Sequence, residues 1–241
     1  MNSRMAPILS VAHPPQSPAR LHALVPAAGT GSRAGTTGPK QYEPVAGHPL
    51  LQHTLEALAR VPRLASILVV VAPHDGRLAD GVNHQVARCG GATRAETVRN
   101  GLEELLRRGA VEDDWVLVHD AARCLVTPAL VDRLIDACVG DAVGGLVAQP
   151  LADTLKQEEQ GRVAATLPRS QKWLAQTPQM FRLGLLRRAL AAAGDKVTDE
   201  ASAVEALGLR PRLVPGSALN MKVTWPEDFA LAEAILGSRG R

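Results

Sequence analysis

The feature that most constrains this chain is the stretch at residues 21–42, which reads LHALVPAAGTGSRAGTTGPKQY. Its short apolar run, 21–25, predicts a buried strand, and the glycine-rich segment that follows predicts a loop. Glycines let successive backbone N–H groups converge on an anion because no Cβ stands in the way, and Arg33 and Lys40 add full positive charges. We interpret the stretch as a binding loop for a nucleoside triphosphate.

Two better-known phosphate loops fit this stretch less well. Residues 29–34 match the dinucleotide pattern G-x-G-x-x-G/A, but that pattern expects an early helix and an acid after the next strand. Glycines and a proline at 35–39 oppose a helix there, and the next predicted strand, 66–71, is followed by Ala-Pro in place of an acid. The Walker pattern G-x-x-x-x-G-K-[ST] fails because Lys40 is followed by Gln41. A flexible turn with two solvated cations is the remaining alternative.

Composition favours one α/β domain with short tails. The chain has 241 residues, of which 46% are hydrophobic, and strand and helix patterns alternate along it. We predict a single domain at 21–236, between an N-terminal extension at 1–20 and a C-terminal tail at 237–241, both disordered. These two segments carry four arginines and no acid, so the formal charge of +3 leaves the domain at about −1. Because aromatic residues make up only 2% of the chain, we also expect no nucleic-acid partner.

Cysteine content and hydropathy indicate a cytoplasmic protein. Cys89, Cys124 and Cys138 show neither paired spacing nor an even count, which is typical of free thiols in a reducing compartment. We expect Cys124 to be a small buried hydrophobe. No apolar run approaches the roughly 18 residues that span a membrane, and the first residues lack the apolar core of a secretory signal. We therefore expect no membrane partner.

Hydrophobic periodicity outlines the elements around the loop. Helices are predicted at 49–60, 76–86, 95–107, 127–139, 182–193, 198–207 and 226–236, and strands at 21–25, 66–71, 115–119, 144–147, 213–215 and 219–223. The segment 150–181 has no helical periodicity, so its composition alone predicts an extended surface loop or hairpin. The histidines share no ligand spacing, and no zinc site is assigned.

Two further segments place polar groups near the loop. The run 115–119 predicts a central parallel strand that ends in Asp120, and ligands bind where such strands end. One carboxylate with phosphate oxygens is the usual way to hold Mg²⁺, although Asp120 could equally cap the next turn. Gly90-Gly91 precedes a helix, where free N–H groups could bond a base or a phosphate. Thr93 and Glu96 also fit a capping box at the start of that helix.

Several motifs together resemble one enzyme family. They are A-A-G-x-G-x-R followed by P-K-Q-Y in the loop, then GGATRAETV (90–98), VHDAARCL (118–125), LADTLK (151–156), AQTPQMF (175–181), VTDEASAVE (197–205) and NMKVTWPEDFALAE (220–233). In this combination the chain resembles the 2-C-methyl-D-erythritol 4-phosphate cytidylyltransferases, enzymes of the non-mevalonate isoprenoid pathway. The resemblance covers nearly all of the chain except the two tails.

The resemblance implies a fold, an activity and partners. The expected fold is a Rossmann-like, doubly wound, mostly parallel sheet of the nucleotidyltransferase type, with a projecting β-arm at about 150–178 that embraces a second subunit. The expected reaction transfers CMP from CTP to the polyol phosphate 2-C-methyl-D-erythritol 4-phosphate, with Mg²⁺ as cofactor. The expected assembly is a homodimer with shared active sites.

The resemblance also assigns roles to residues. Catalytic roles fall on Arg33, Lys40, Arg169 and Lys222; nucleotide contacts on Ala27, Ala28, Gly29, Gly31, Gly91, Arg94, Thr97, Asp120 and Ala121; acceptor contacts on Thr154, Arg169, Thr177 and Lys222; and the metal on Asp120. Nucleotidyl transfer requires positive charge and positioning and no side-chain nucleophile. This requirement agrees with Arg33 and Lys40 as groups that stabilise the transition state.

Three positions depart from the family pattern. Leu219 stands where an acid is common, Cys124 where a proline is usual, and Ala34 where a methionine is usual. Because Leu219 belongs to the expected acceptor side, the identity of the polyol phosphate is left open. The alternatives are a ribitol 5-phosphate cytidylyltransferase, a nucleotide-binding regulator without turnover, and a Rossmann dehydrogenase. The missing acid after the second predicted strand argues against the dehydrogenase.

Overall fold

Seven strands form one sheet, and the helices that alternate with them along the chain cover both of its faces. The computed structural model describes residues 18–194 and 197–239. The strands are β1 (Leu21–Pro26), β2 (Pro44–Val45), β3 (His48–Pro49), β4 (Leu64–Val70), β5 (Gln85–Ala87), β6 (Trp115–Val118), β7 (Gly144–Pro150), β8 (Leu155–Glu159), β9 (Arg162–Leu167), β10 (Trp173–Arg182) and β11 (Arg212–Pro215). The helices are α1 (Leu50–Ala59), α2 (Arg94–Arg107), α3 (Pro128–Cys138), α4 (Leu183–Ala193), α5 (Glu200–Glu205) and α6 (Pro226–Arg239).

The strand order of the main sheet is β11-β7-β10-β6-β1-β4-β5. Neighbouring strands are parallel except at β10, which runs antiparallel to both β6 and β7. The chain moves outward from β1 through β4 to β5 and then returns to place β6 on the other side of β1. The carboxyl ends of β1 and β6 therefore flank a topological switch point, where doubly wound sheets bind ligands. The predicted fold class is confirmed.

Both faces of the sheet are covered by apolar helices. In β1, Ala23 and Val25 belong to the cluster under α1 and α3, whereas Leu24 points to the opposite cluster under α2, α4 and α5. This alternation follows from the two-residue period of a strand. All four residues of β6 are buried, as expected for a central strand with helices on both sides.

A hairpin of β8 and β9 extends the connection between β7 and β10. The two strands pair only with each other in the described sheets, and their side chains are mostly exposed. We call residues 151–172 the arm. The predicted arm, at about 150–178, ends too late, because Trp173 already begins β10 and pairs with Pro150 of β7.

Two predicted elements and the predicted end of the last helix are wrong. The helix at 76–86 is absent because Arg88 donates to the carbonyls of Asp75 and Leu78 and folds this segment into turns before β5. Residues 219–223, predicted as a strand, form irregular chain. The N–H of Asn220 donates to the carbonyl of Ser217, and that of Val223 donates to Ala122 in the turn after β6. One residue before the predicted start of the domain, the backbone N–H of Arg20 donates to Asp114, and the predicted domain limits stay predictions. The last helix ends at Arg239, beyond the predicted limit of 236.

Parts of the predicted tails, residues 1–17 and 240–241, lie outside the described residues. Within the described part of the chain, every helix is too short or too polar to cross a membrane.

Candidate active site

A cavity of about 300 Å³ opens at the carboxyl edge of the parallel strands. Its walls come from the loop after β1, the loop between β5 and α2, and the turn after β6. The lining includes every residue predicted on the nucleotide side and three of the four predicted catalytic cations. These residues are Ala27, Ala28, Gly29, Gly31, Arg33, Lys40, Gly91, Arg94, Thr97, Asp120, Ala121 and Lys222. The fold thus gathers into one site residues that lie far apart in the sequence.

The loop after β1 is held by side chains from its own second half. Gln41 donates from Nε2 to the carbonyl of Ala27 at 2.7 Å, and Lys40 donates from Nζ to the carbonyl of Val223 at 2.6 Å. Gly31 has φ +70°, and a Cβ at this position would stand 2.5 Å from Cγ of Lys40. Gly31 is therefore required both by the backbone conformation and by the close passage of Lys40.

The loop before α2 is bonded internally. The hydroxyl of Thr93 accepts from the N–H of Glu96 at 3.1 Å, so Thr93 caps the helix as predicted. The Glu96 carboxylate accepts from Ala92, one residue before the position that a capping box requires. The N–H of Gly91 donates to the hydroxyl of Thr97 at 3.1 Å. Both loop N–H groups thus have partners within the protein, and the base and ribose contacts of Gly91 and Thr97 stay predictions.

Asp120 lies at the centre of the charged cluster. Its Oδ1 accepts from Nε of Arg94 at 2.9 Å, its Oδ2 accepts from Nζ of Lys222 at 2.8 Å, and Nε of Arg123 lies 3.9 Å from Oδ2. Burial alone would raise the pKa of Asp120, but Arg94 and Lys222 hold it well below its usual range. Asp120 is therefore ionised at neutral pH.

Positive charge dominates the cavity wall. Arg33, Lys40, Arg94 and Lys222 line it, and Asp120 is the only acidic residue in the lining among the described residues. Burial, with the like charges of Lys222 and Arg33, lowers the pKa of Lys40. Such an arrangement is suited to a polyanion, because the approach of phosphate oxygens relieves the repulsion between these cations.

A buried hydrogen-bond chain supports the turn at Asp120. The backbone N–H of Asp120 donates to the hydroxyl of Thr177 at 3.0 Å, and this hydroxyl lies 3.1 Å from Nδ1 of His119. Nε2 of His119 lies 3.2 Å from the carbonyl of Arg123, which can only accept. Neutral His119 therefore carries its proton on Nε2, and Thr177 donates to Nδ1. The chain of bonds fixes both ends of the 119–123 turn.

Three residues predicted on the acceptor side lie outside the cavity lining. Thr154 and Arg169 are exposed on the arm, where Arg169 donates to the carbonyl of Ala152. Thr177 is 3% exposed, and its hydroxyl is used by Asp120 and His119. The acceptor contacts of these residues stay predictions.

Four residues that take part in this site were not singled out from the sequence. They are Gln41, His119, Arg123 and Glu200, which bonds to Arg94 through both carboxylate oxygens at 2.7 and 3.0 Å. The sequence marks Glu200 only as an acidic residue at the start of a predicted helix, at 198–207. Its partner stands 106 residues away, so sequence spacing gave no indication of the pair.

The cysteines contribute no nucleophile. Cys89, Cys124 and Cys138 are free thiols. Cys124 is 2% exposed, and burial raises its pKa to about 11, so it behaves as the buried hydrophobe that was predicted.

Fold and site together define a nucleotidyltransferase: a doubly wound sheet with a glycine-rich loop, a ring of cations and one carboxylate at the switch point. The profile of the family described as IspD, 2-C-methyl-D-erythritol 4-phosphate cytidylyltransferase, matches residues 21–238. The chain belongs to this family.

Individual relatives agree with the family match. The chain is 63% identical to the bifunctional enzyme IspD/IspF of Albidiferax ferrireducens over 91% of its length, and it spans 54% of that longer protein. It is 60% identical to the 2-C-methyl-D-erythritol 4-phosphate cytidylyltransferase of Laribacter hongkongensis, covering 90% of this chain and 96% of the relative.

Solved structures give the same result. A 4-diphosphocytidyl-2C-methyl-D-erythritol synthase superposes with a TM-score of 0.81 at 44% identity, covering 90% of this chain and 99% of the other. The Francisella tularensis cytidylyltransferase superposes with a TM-score of 0.79 at 33% identity, covering 90% and 100%.

Replacing His119 by Gln should flatten the pH dependence of stability. Burial lowers the pKa of His119 to about 4, below the value of about 6.5 that a histidine has in an unfolded chain. Because the folded state keeps His119 neutral, this residue contributes its full stability above pH ~6.5. The free energy of unfolding then falls by about 3 kcal/mol as the pH drops to about 4. Urea unfolding of wild type and His119→Gln across this range measures the difference.

His74→Gln, at an exposed histidine, is the matched control for this experiment. The same pH slope in wild type and in His119→Gln would contradict the assignment of His119 as a buried neutral group.

Proposed function

We propose that this chain transfers CMP from CTP to 2-C-methyl-D-erythritol 4-phosphate and releases pyrophosphate. The observation that carries the proposal is the set of four cations, Arg33, Lys40, Arg94 and Lys222, around the single carboxylate of Asp120 in one cavity. Family membership supports the choice of nucleotide and acceptor. The ribitol phosphate and regulator alternatives have no support of this kind.

The proposed chemistry requires no side-chain nucleophile. An oxygen of the acceptor phosphate attacks the α-phosphorus of CTP, a new phosphorus–oxygen bond forms, and the bond to the β-phosphate oxygen breaks. Because a phosphate monoester is already anionic at neutral pH, the protein must bring two anions together and stabilise the charge that grows on the leaving group. Arg33 and Lys40, in the loop after β1, are proposed to do this. Lys222 is proposed to align the acceptor phosphate.

The donor set at Asp120 fits Mg²⁺. The carboxylate is ionised, and Mg²⁺ usually takes one or two carboxylates together with substrate phosphates. The described residues contain no cluster of three or more acidic, histidine or cysteine side chains. This favours a metal that enters with the nucleotide. Held by Asp120, it would supply charge neutralisation on the phosphate oxygens. Mg²⁺ dependence is thus part of the proposal.

The arm is proposed to complete the acceptor side in a second subunit. Thr154 and Arg169 lie on the arm, outside the cavity of their own chain. The arm and the start of β10 expose Val163, Trp173 and Leu174, with 64%, 37% and 46% of their surface accessible. Large exposed apolar side chains of this kind are consistent with a protein–protein interface at the arm. We propose a homodimer with shared sites, and a cytoplasmic location in keeping with the free thiols.

Pyrophosphate release tests the function directly. The assay uses CTP and Mg²⁺ with 2-C-methyl-D-erythritol 4-phosphate or ribitol 5-phosphate as rival acceptors, and EDTA as the control. Release with the first acceptor alone, abolished by EDTA, is expected, and it would show that Leu219 is tolerated. Release with ribitol 5-phosphate alone would move the chain to that activity, and CTP binding without release would favour the regulator.

Lys40→Ala and Arg33→Ala should each lower turnover by on the order of 10²–10³, which corresponds to roughly 3 kcal/mol of lost transition-state stabilisation. Steady-state kinetics and thermal unfolding together separate this effect from misfolding. Arg60→Ala removes an exposed cation at the C-terminal end of α1, whose Nε donates to the carbonyl of Glu56, and serves as the control. Near-normal turnover in either loop variant would refute the assignment.

Mixing two inactive variants should restore activity if the arm serves the neighbouring subunit. In a heterodimer of Lys40→Ala and Arg169→Ala, one site would carry both defects and the other neither. Random reassociation should then recover about a quarter of wild-type turnover. Each variant mixed with itself is the control. Recovery close to zero, with heterodimers present on native mass spectra, would place Arg169 in the site of its own chain.

A further inference from the structure

The buried carboxylate of Glu200 is the strongest feature near the site that has no role in the proposed chemistry. Glu200 is 1% exposed and begins α5. Its two oxygens accept from Nη1 and Nη2 of Arg94 at 2.7 and 3.0 Å. Glu200 is absent from the cavity lining, whereas Arg94 and Asp120 belong to it. Glu200 therefore contacts the site through Arg94.

Hydrogen bonds other than the Glu200–Arg94 pair hold the first turn of α5 in place. The side chain of Gln179 in β10 donates to Asp199 at 2.8 Å and accepts from the N–H of Ala201 at 2.7 Å. Asp199 and Ser202 form a capping box around the same turn. Glu200 thus stands between two residues that are bonded to the sheet, and its carboxylate has little freedom to follow a moving partner.

Glu200 fixes the orientation in which Arg94 meets Asp120. Arg94 has five N–H donors, of which Glu200 accepts one from Nη1 and one from Nη2. In the orientation that these two bonds set, the hydrogen bond to Asp120 comes from Nε, at 2.9 Å. Two carboxylates near one guanidinium also raise the pKa of Arg94 despite its burial. Without Glu200, the guanidinium fork would be free to chelate Asp120 through two parallel bonds, which is the preferred geometry of an arginine–carboxylate pair.

We propose that Glu200 is a positioning residue that limits Arg94 to a single hydrogen bond with Oδ1 of Asp120. Oδ2, which accepts from Nζ of Lys222 at 2.8 Å, then keeps a lone pair for a divalent cation bound with the nucleotide. The inference rests on the proposed function, because it assigns Asp120 to Mg²⁺. Glu200 also offsets the charge of Arg94, so that this arginine competes less strongly with a cation for Asp120.

Calorimetric titration of CTP, in Mg²⁺ and separately in EDTA, tests the proposal without relying on turnover. Glu200→Gln keeps the size of the side chain and removes its charge. We expect the affinity for CTP to fall about 10–100-fold in Mg²⁺, the range typical of residues that support a metal ligand, and by less than about threefold in EDTA. Glu103→Gln, which removes one carboxylate from the exposed pair with Arg187, is the matched control and should change neither affinity.

Two outcomes would overturn the role of Glu200. They are an equal loss of affinity in Mg²⁺ and EDTA, or no loss in either. A double-mutant cycle adds a further check, because Arg94→Lys abolishes the guanidinium fork. In the Arg94→Lys background, Glu200→Gln should cause no further loss of Mg²⁺-dependent CTP affinity. Additive losses would refute the proposal. Thermal unfolding is measured for each variant, and Glu200→Asp, which keeps the charge, replaces Glu200→Gln if the latter does not fold.

Failure of this inference differs from failure of the proposed function. A wild-type protein with equal CTP affinity in Mg²⁺ and EDTA would overturn the positioning role. Absence of pyrophosphate release, with Mg²⁺-dependent CTP binding intact, would overturn the proposed transfer reaction and leave the positioning role of Glu200 standing.

Discussion

The site depends on one unfavourable arrangement, a group of like charges held together in a partly buried cavity. At an effective dielectric constant of about 20, two unit charges 4 Å apart interact by about 4 kcal/mol. Asp120 offsets part of the repulsion by pairing with Arg94 and Lys222. The remainder shows in Lys40, whose pKa is lowered by burial and by neighbouring cations. A bound polyanion would relieve this repulsion, so the cluster favours the binding of a triphosphate.

The antiparallel strand β10 provides the polar supports for this cluster. Thr177 accepts from the backbone of Asp120 on one side of the site, and Gln179 bonds to the start of α5 on the other. Both side chains are buried, at 3% and 1% exposure. A buried polar group is costly unless its bonds are satisfied. These bonds therefore tie the positions of Asp120 and Glu200 to a single strand, and the geometry of the charged cluster becomes a property of the sheet.

Local sequence patterns predicted the parts of the site that depend on short-range physics. The loop at 21–42 and the position of Asp120 at the end of a strand follow from glycine content, apolar runs and strand direction, and the structure agrees. The partners of these residues could not be predicted in this way. Lys222 lies in irregular chain where the sequence pattern predicts a strand, and Nζ of Lys40 donates to the carbonyl of Val223, 183 residues away. Only the resemblance to a family connected Lys222 to the site, and nothing in the sequence connected Glu200 to Arg94.

The two halves of the proposed reaction depend on different levels of structure. Every residue predicted to contact the nucleotide lines a cavity within one chain, so the proposed CTP site is assembled without a second subunit. Thr154 and Arg169, in contrast, are exposed on an arm whose strands pair only with each other among the described sheets. If the arm serves a neighbouring subunit, a separated subunit would bind CTP and still lack a complete acceptor site. The activity would then depend on assembly. The dimer interface would hold Arg169 in place, so the entropy cost of ordering this side chain would not reduce the affinity for the acceptor phosphate.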